Sequence, residues 1–302
     1  MTSCLLVKSS KRLVAVADGR LSRDDNSQSF NETRKLREFE VSYQIPVFDR
    51  GRFHSFRRYR SEPWYLAYAG THTVTTEIID LFLQRIGSLY LTRHEQGQHA
   101  MLSHSTLTSG VFTDDYNFDQ EELLKIHGRD VLQELVDAFE IRGSENSENR
   151  RSRPDSEFIL FGNEEASGDY KAFVVSADEN GYSPGARLRI KADPVLDGQL
   201  ASIGSEIVRT EVYADEALMR GLEGWKQDED YYAGLDSVLA KRTGGSLLPS
   251  PPTTAWSINQ VGKRFLQLLC TTADPSVGGR MILADGDWSK EIQLRAFDPP
   301  RK

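Results

Sequence analysis

Met1-Thr2-Ser3-Cys4-Leu5-Leu6-Val7, followed by Leu13-Val14-Ala15-Val16-Ala17-Asp18-Gly19-Arg20, is the stretch on which the reading of this chain turns. Leu5 to Val7 and Leu13 to Ala17 read as two strands joined by a polar turn, Ser9-Ser10-Lys11-Arg12. The second run is apolar at every position, so both of its faces should be covered. Removal of Met1 would leave Thr2 with a hydroxyl and a free α-amine. The ordinary pKa of such an amine is about 7.7–8.0, so part of it is neutral near neutral pH and accepts a proton. A Thr hydroxyl activated by its own amine is one form of nucleophilic catalysis. A Met-Thr opening is ordinary in itself and acquires meaning only from the residues that follow.

Those residues form an ordered set. Asp18 closes the second strand, Arg34-Lys35-Leu36 follows the polar segment Ser22 to Asn31, and Trp64 to Ala69 is a strand stopped by Gly70 before a helical stretch. Further on stand Ile203-Gly204-Ser205 and Asp274-Pro275-Ser276-Val277-Gly278-Gly279. An amino-terminal Thr followed by this series resembles the proteasome β-type branch of the N-terminal nucleophile hydrolases, which includes HslV, Anbu and the betaproteobacterial proteasome homologue (BPH). Length and the C-terminal half look nearest the last.

The resemblance implies an α+β fold, a four-layer αββα sandwich in which Thr2, Asp18, Lys35, Gly70, Ser205 and Asp274 form the catalytic group. Asp18 would pair with Lys35 beneath Thr2, the ammonium favouring an alkoxide and disfavouring a second positive charge on the amine. Gly70 N–H would meet the oxyanion, with no Cβ to obstruct the carbonyl. Ser205 would lie near the Thr2 amine. Ser22 would contact the substrate backbone, while Leu21, Thr33, Arg37, Tyr68 and His72 would line the pocket for the residue before the scissile bond. Three departures stand out. Lys35 stands one residue later than the commonest spacing, with Arg34 as the register alternative and Lys35-Leu36 the better local match. Glu206 follows Ser205, and Val277 occupies the place where the pattern has a serine, with Ser276 one position earlier.

Bulk properties set limits. The chain has 302 residues, 38% hydrophobic and 27% charged, which suits a globular protein of one large or two medium domains. A net charge of -8 argues against a broad nucleic-acid or anionic-membrane surface. Cys4 and Cys270 make no disulfide framework and suit a reducing cytoplasm. Lys8, Lys11, Arg12 and Asp18 interrupt any signal-peptide core, and no apolar run reaches the length of a membrane span. The six histidines show no HExxH spacing, so neither a metal nor another cofactor is expected.

The remaining chain reads as strand over Lys35 to Tyr43, a long hairpin or loop over Ile45 to Pro63, and helix over Thr73 to Ile86. A looser region holds His94, His99 and His104. A second helix follows, entered at Asp119 and reaching Phe139. Residues 142–157 read as a polar loop insertion. Strands then cover Phe158 to Phe161, Tyr170 to Ala177 and Ala186 to Ala192. Helices are expected over Asp215 to Trp225, Tyr231 to Lys241 and Ile258 to Leu269, with an extended loop around 243–257, and Met281 to Ala284 forms a closing hairpin with Glu291 to Phe297. The whole chain is read as one domain.

The functional expectation is a self-compartmentalising threonine peptidase acting on peptides or unfolded protein. It would assemble into stacked homo-oligomeric rings, with an unfoldase as a possible partner, and would engage neither nucleic acid nor membrane. Two alternatives remain open: a ring-forming scaffold with little proteolysis, and a small-amide hydrolase.

Overall fold

The apolar run Leu13 to Ala17 becomes strand β2 (Arg12–Ala17), and its two faces feed different cores. Leu13, Ala15 and Ala17 face one apolar cluster, and Val14 and Val16 face another. This is the period-2 alternation of a strand covered on both sides. In β1 (Ser3–Lys8), Cys4 and Leu6 separate in the same way from Leu5 and Val7.

The computed structural model describes residues 3–22, 29–30, 34–93, 99–107, 129–150, 155–164, 169–178, 188–239, 255–287 and 291–298. Within them the protein is a mixed α/β fold with two main sheets and five α-helices. The other strands are β3 (Leu21–Ser22), β4 (Ser29–Phe30), β5 (Leu36–Asp49), β6 (Arg52–Ala69), β7 (Leu89–Arg93), β8 (His99–Ser103), β9 (Glu157–Glu164), β10 (Asp169–Ala177), β11 (Ile190–Pro194), β12 (Leu200–Gly204), β13 (Met281–Asp287) and β14 (Gln293–Phe297). The helices are α1 (His72–Ile86), α2 (Arg129–Arg150), α3 (Glu206–Tyr213), α4 (Glu216–Leu239) and α5 (Ile258–Thr271).

One sheet has the order β12-β1-β2-β13-β14 and is antiparallel throughout. The other has the order β11-β10-β9-β6-β5-β7-β8, with β5 and β7 its one parallel neighbour pair. A cluster containing Cys4, Leu6 and Ala15 from the first sheet and Tyr65, Ile159 and Phe161 from the second joins the two. A second cluster joins Trp64, Leu66 and Tyr68 to Ile78 and Phe82 of α1 and to Leu135 and Phe139 of α2. The third sets Leu5, Val7 and Val14 against Val208, Trp225 and Phe265 of α3, α4 and α5. No helix among the described residues is long and apolar enough to cross a membrane.

Several local expectations are corrected. Residues 142–150, read as loop, continue α2. The helix is pressed so close that a Cβ at Gly143 would lie 2.6 Å from Leu188 Cδ2, and Leu188 N–H donates to Ser144 Oγ at 3.2 Å. A tertiary contact therefore sustains a polar segment that has no apolar periodicity of its own. The region of His99 and His104 is strand β8 and a following 3₁₀ turn, with β8 paired to β7; His94 lies outside the described residues. The segment after Arg20 contains a short ribbon in which Leu21 faces Phe30. Of the two readings of Ile45 to Pro63, the hairpin holds: it turns at Arg50 and Gly51 and carries a register shift between Val47 and Phe48. The separate helices expected over 215–225 and 231–241 are one helix, α4, and α3 before it went unread. Asp119 and residues 243–254 lie outside the described residues.

Phe161 is wholly buried between the sheets and stacks on Tyr65 at 5.4 Å. Phe161→Ala should lower stability by about 3–5 kcal/mol in urea unfolding. Leu196→Ala, at a position 64% exposed, should cost under about 0.5 kcal/mol.

Candidate active site

Ser3 and Asp18 face each other across the β1–β2 hairpin and bind reciprocally. Ser3 N–H donates to Asp18 Oδ1 at 3.0 Å, and Asp18 N–H donates to the Ser3 carbonyl at 3.1 Å. The Ser3 nitrogen is that of the Thr2–Ser3 peptide bond; Thr2 itself lies outside the described residues. Asp18 Oδ2 accepts from Gly278 N–H at 3.0 Å. The Lys35 ammonium stands 3.5 Å from Asp18 Oδ1, with the two side chains 2% and 0% exposed, and also donates to the Arg20 carbonyl.

Lys35 is placed by the sheet. Leu36 pairs with Ala67, and Tyr68 N–H donates to the Lys35 carbonyl at 3.1 Å. Burial pushes the Lys35 ammonium down from its ordinary pKa, against the pull of Asp18. Burial likewise pushes Asp18 up, opposed by Lys35 and by the Ser3 and Gly278 donors. Burial thus works against the charged forms of both groups, while their mutual attraction and the hydrogen bonds around Asp18 work in favour of them.

A second group forms at the end of β12. Ser205 caps α3, its Oγ accepting Val208 N–H at 3.2 Å while donating to Asp274. Glu206 then falls in the first turn of α3, where a carboxylate complements the helix dipole, and it pairs with Arg209 at 3.2 Å. Ser276 Oγ donates to Asp274 Oδ1 at 2.5 Å, and its N–H does so at 2.8 Å. A serine hydroxyl therefore reaches Asp274 although position 277 is a buried valine. Burial would raise the Asp274 carboxyl, but the donors on Ser205 and Ser276 outweigh it and hold it below its ordinary value.

Gly70 ends β6 with φ +117°, two residues past the position that binds Lys35. A Cβ there would lie 2.7 Å from both the Asp155 carbonyl oxygen and Ser156 Cα, so glycine is demanded by that crossing chain as well. Asp155 in turn accepts from Thr71 N–H at 2.9 Å and Thr71 Oγ1 at 3.0 Å at the start of α1. His72 is the exposed first residue of α1. Tyr68 is buried, with its hydroxyl donating to the Arg34 carbonyl at 3.0 Å and Arg37 lying 5.7 Å over its ring. Leu21 and Ser22 form β3, and Thr33 lies outside the described residues.

Three contributors were missed in the sequence: the Ser3 and Gly278 N–H groups and the Arg20 carbonyl. Gly278 has φ +141°, and a Cβ there would lie 3.1 Å from the Arg20 guanidinium, so the Gly278-Gly279 doublet was the available signal.

Lys35→Met leaves Asp18 buried without its cation and should cost about 3–5 kcal/mol in urea unfolding. The double variant Asp18→Asn/Lys35→Met should lose less than the sum of the two singles; additivity would deny the coupling. Asp274 supplies a pH test. Its folded pKa lies below the ordinary 3.8, so its contribution is present above 3.8 and lost as pH falls through the lower folded value. Ser205→Ala should therefore unfold at a higher pH in acid titration, and the stability gap from the parent should narrow below 3.8, leaving the loss of the cap, about 0.5–2 kcal/mol.

No protein-family model and no curated protein matches the chain. Solved structures match it in shape. A Gly-1 mutant of Anbu from Hyphomicrobium sp. strain MC1 aligns with 99% of this chain and 88% of its own, at 13% identity and a TM-score of 0.52. Anbu from the same strain covers 98% and 87%, at 12% identity and a TM-score of 0.50. Identity this low speaks to architecture alone, and on that ground the chain shares its fold with the Anbu proteins.

Proposed function

We propose that this protein is a hydrolase of peptide bonds that works from Thr2 at the amino terminus of the mature chain. The observation that carries the reading is the hold of Asp18 on Ser3 N–H at 3.0 Å with Lys35 buried beside it. That pair is tied to the nitrogen that joins Thr2 to Ser3, the first residue of β1.

In the reaction, Thr2 Oγ1 attacks the substrate carbonyl carbon and its proton passes to the Thr2 α-amine. The Lys35 ammonium favours the alkoxide and disfavours a charged amine, and Gly70 N–H meets the oxyanion. The C–N bond breaks as the leaving nitrogen takes the proton. Water, deprotonated by the same amine, then releases the acyl group from Thr2. Ser205, Asp274 and Ser276 supply a linked hydroxyl–carboxylate group for proton relay. Ser22 contacts the substrate backbone, and Leu21, Thr33, Arg37, Tyr68 and His72 shape the pocket before the scissile bond. The three apolar clusters support a four-layer αββα domain, and the reading carries with it assembly into rings of identical chains in the cytoplasm.

A second reading, a scaffold with little proteolysis, draws on Val277, buried where the resemblance places a serine. One experiment separates them. Intact mass is measured first to establish that Met1 is gone, and the protein is then treated with a threonine-directed epoxyketone. A covalent adduct on Thr2, absent in Thr2→Ala, is expected. A Met1-free protein that forms no adduct would overturn the hydrolase and favour the scaffold.

A further inference from the structure

Two strand edges open onto one cleft of about 1170 Å³. Residues 36–40 of β5 and 294–296 of β14 line it consecutively. β14 ends the order of its sheet, and β7 meets β5 only at Tyr43 and Gln44, so no described strand pairs with residues 36–42 on that side. Residues from both faces of β5 line the cleft, and so do Ser61 and Pro63 of β6 and Ile282 of β13. It therefore enters between the sheets and wraps the rim of β5, where backbone N–H and C=O groups are offered as well as side chains. Such an edge is a template for another strand.

The cleft is polarised. Arg34, Arg37 and Arg280 stand at the end beside Lys35 and Gly279; Glu38, Glu40 and Glu291 stand at the other. Hydrogen bonds fix the two ends. Gly278 and Lys35 both meet Asp18, which brings the segments that carry Arg280 and Arg34 to the same end of the cleft. The Tyr65 hydroxyl donates to the Ile292 carbonyl at 3.2 Å while Tyr65 pairs with Glu38, which sets Glu291 beside Glu38. From Arg34 to Glu40 the extended chain covers about 20 Å at ~3.3 Å per residue. The charges are accessible: Arg280 reaches Asp298 at 3.8 Å with both more than half exposed, and Glu40 meets the exposed Arg58. Burial and then the two carboxylates Glu38 and Glu291 push the Tyr65 hydroxyl up, which registers the negative potential at that end.

We propose that this cleft takes an extended peptide as an added strand, with acidic side chains beside the scissile end and basic side chains about four to six residues away. The proposal rests on the Thr2 reading for calling that peptide the substrate, and not for its binding.

The test uses the full chain carrying Thr2→Ala, so that no turnover intervenes, and fluorescence anisotropy with labelled dodecapeptides. One peptide places Asp-Asp ahead of Lys-Lys at a spacing of four residues, one reverses the order, and one is a scramble of equal composition. One order should bind about tenfold more tightly than the scramble; Arg280→Glu or Glu291→Lys should remove that advantage. N-methylation of alternate backbone nitrogens in the preferred peptide should abolish binding, since a strand pairs through those groups. Equal binding of all three peptides, indifference to N-methylation, or no binding because a second copy of the chain fills the cleft would overturn the proposal. Polarised binding in a protein that forms no epoxyketone adduct would retain the cleft and remove the Thr2 reading. An adduct without polarised binding would do the reverse.

Discussion

One buried carboxylate holds four pieces of chain together. Asp18 receives Ser3 N–H from the start of β1 and Gly278 N–H from the loop before β13, faces the Lys35 ammonium at the start of β5, and sits at the end of β2. Removing a carboxylate and an ammonium from water costs several kcal/mol for each ion, and their mutual attraction offsets this only with good geometry and satisfied hydrogen bonds. The register of β1 with β2, the entry to β5 and the conformation of the Gly278 loop are therefore mutually dependent. None can shift without stranding a charge.

The same end of the two sheets gathers everything else of chemical interest. β1, β5 and β13 begin there, and β2, β6 and β12 end there. Strand ends supply rigid positions, and the loops and helix starts beyond them supply polar groups with free geometry. Ser205 shows the economy of this arrangement, capping α3 with one lone pair while its proton goes to Asp274. A helix cap and a hydroxyl of the proposed relay are here one group. A change at Ser205 would therefore disturb the helix start and the Asp274 carboxylate together.

The cleft along β5 and β14 follows from how the two sheets stop. Leu36 is buried between them, whereas Glu38 and Glu40, next along the same face of β5, are exposed. Beyond Leu36 the inter-sheet core gives way to a hydrated groove, and charged residues replace apolar ones at the same period-2 spacing. The site and the groove meet at Arg34 to Leu36, so the start of β5 belongs to both.

Much of this was legible in the residues because it is local. Leu13 to Ala17 declared a doubly covered strand, and Val74, Ile78, Ile79 and Phe82 declared the helix α1 through its apolar face. The pairing of Asp18 with Lys35 was not local: only the resemblance implied it, and the two groups stand 3.5 Å apart. Less visible were α3, whose two buried residues Val208 and Val212 give too short a pattern, and the continuation of α2 through residues 142–150, which leans on Leu188. The edge pairing of β7 with β8 escaped for the same reason, since a strand at the rim has only a partial apolar face. What no local pattern carries is the identity of a distant partner. The contact of Asp18 with Gly278 spans 260 positions, and that of Ser205 with Asp274 spans 69. Periodicity and turn chemistry determined which segments become strands and helices, because those depend on neighbours along the chain. Only the tertiary structure decided which donors reach Asp18 and where the sheets part, because burial and hydrogen-bond satisfaction are properties of the packed whole.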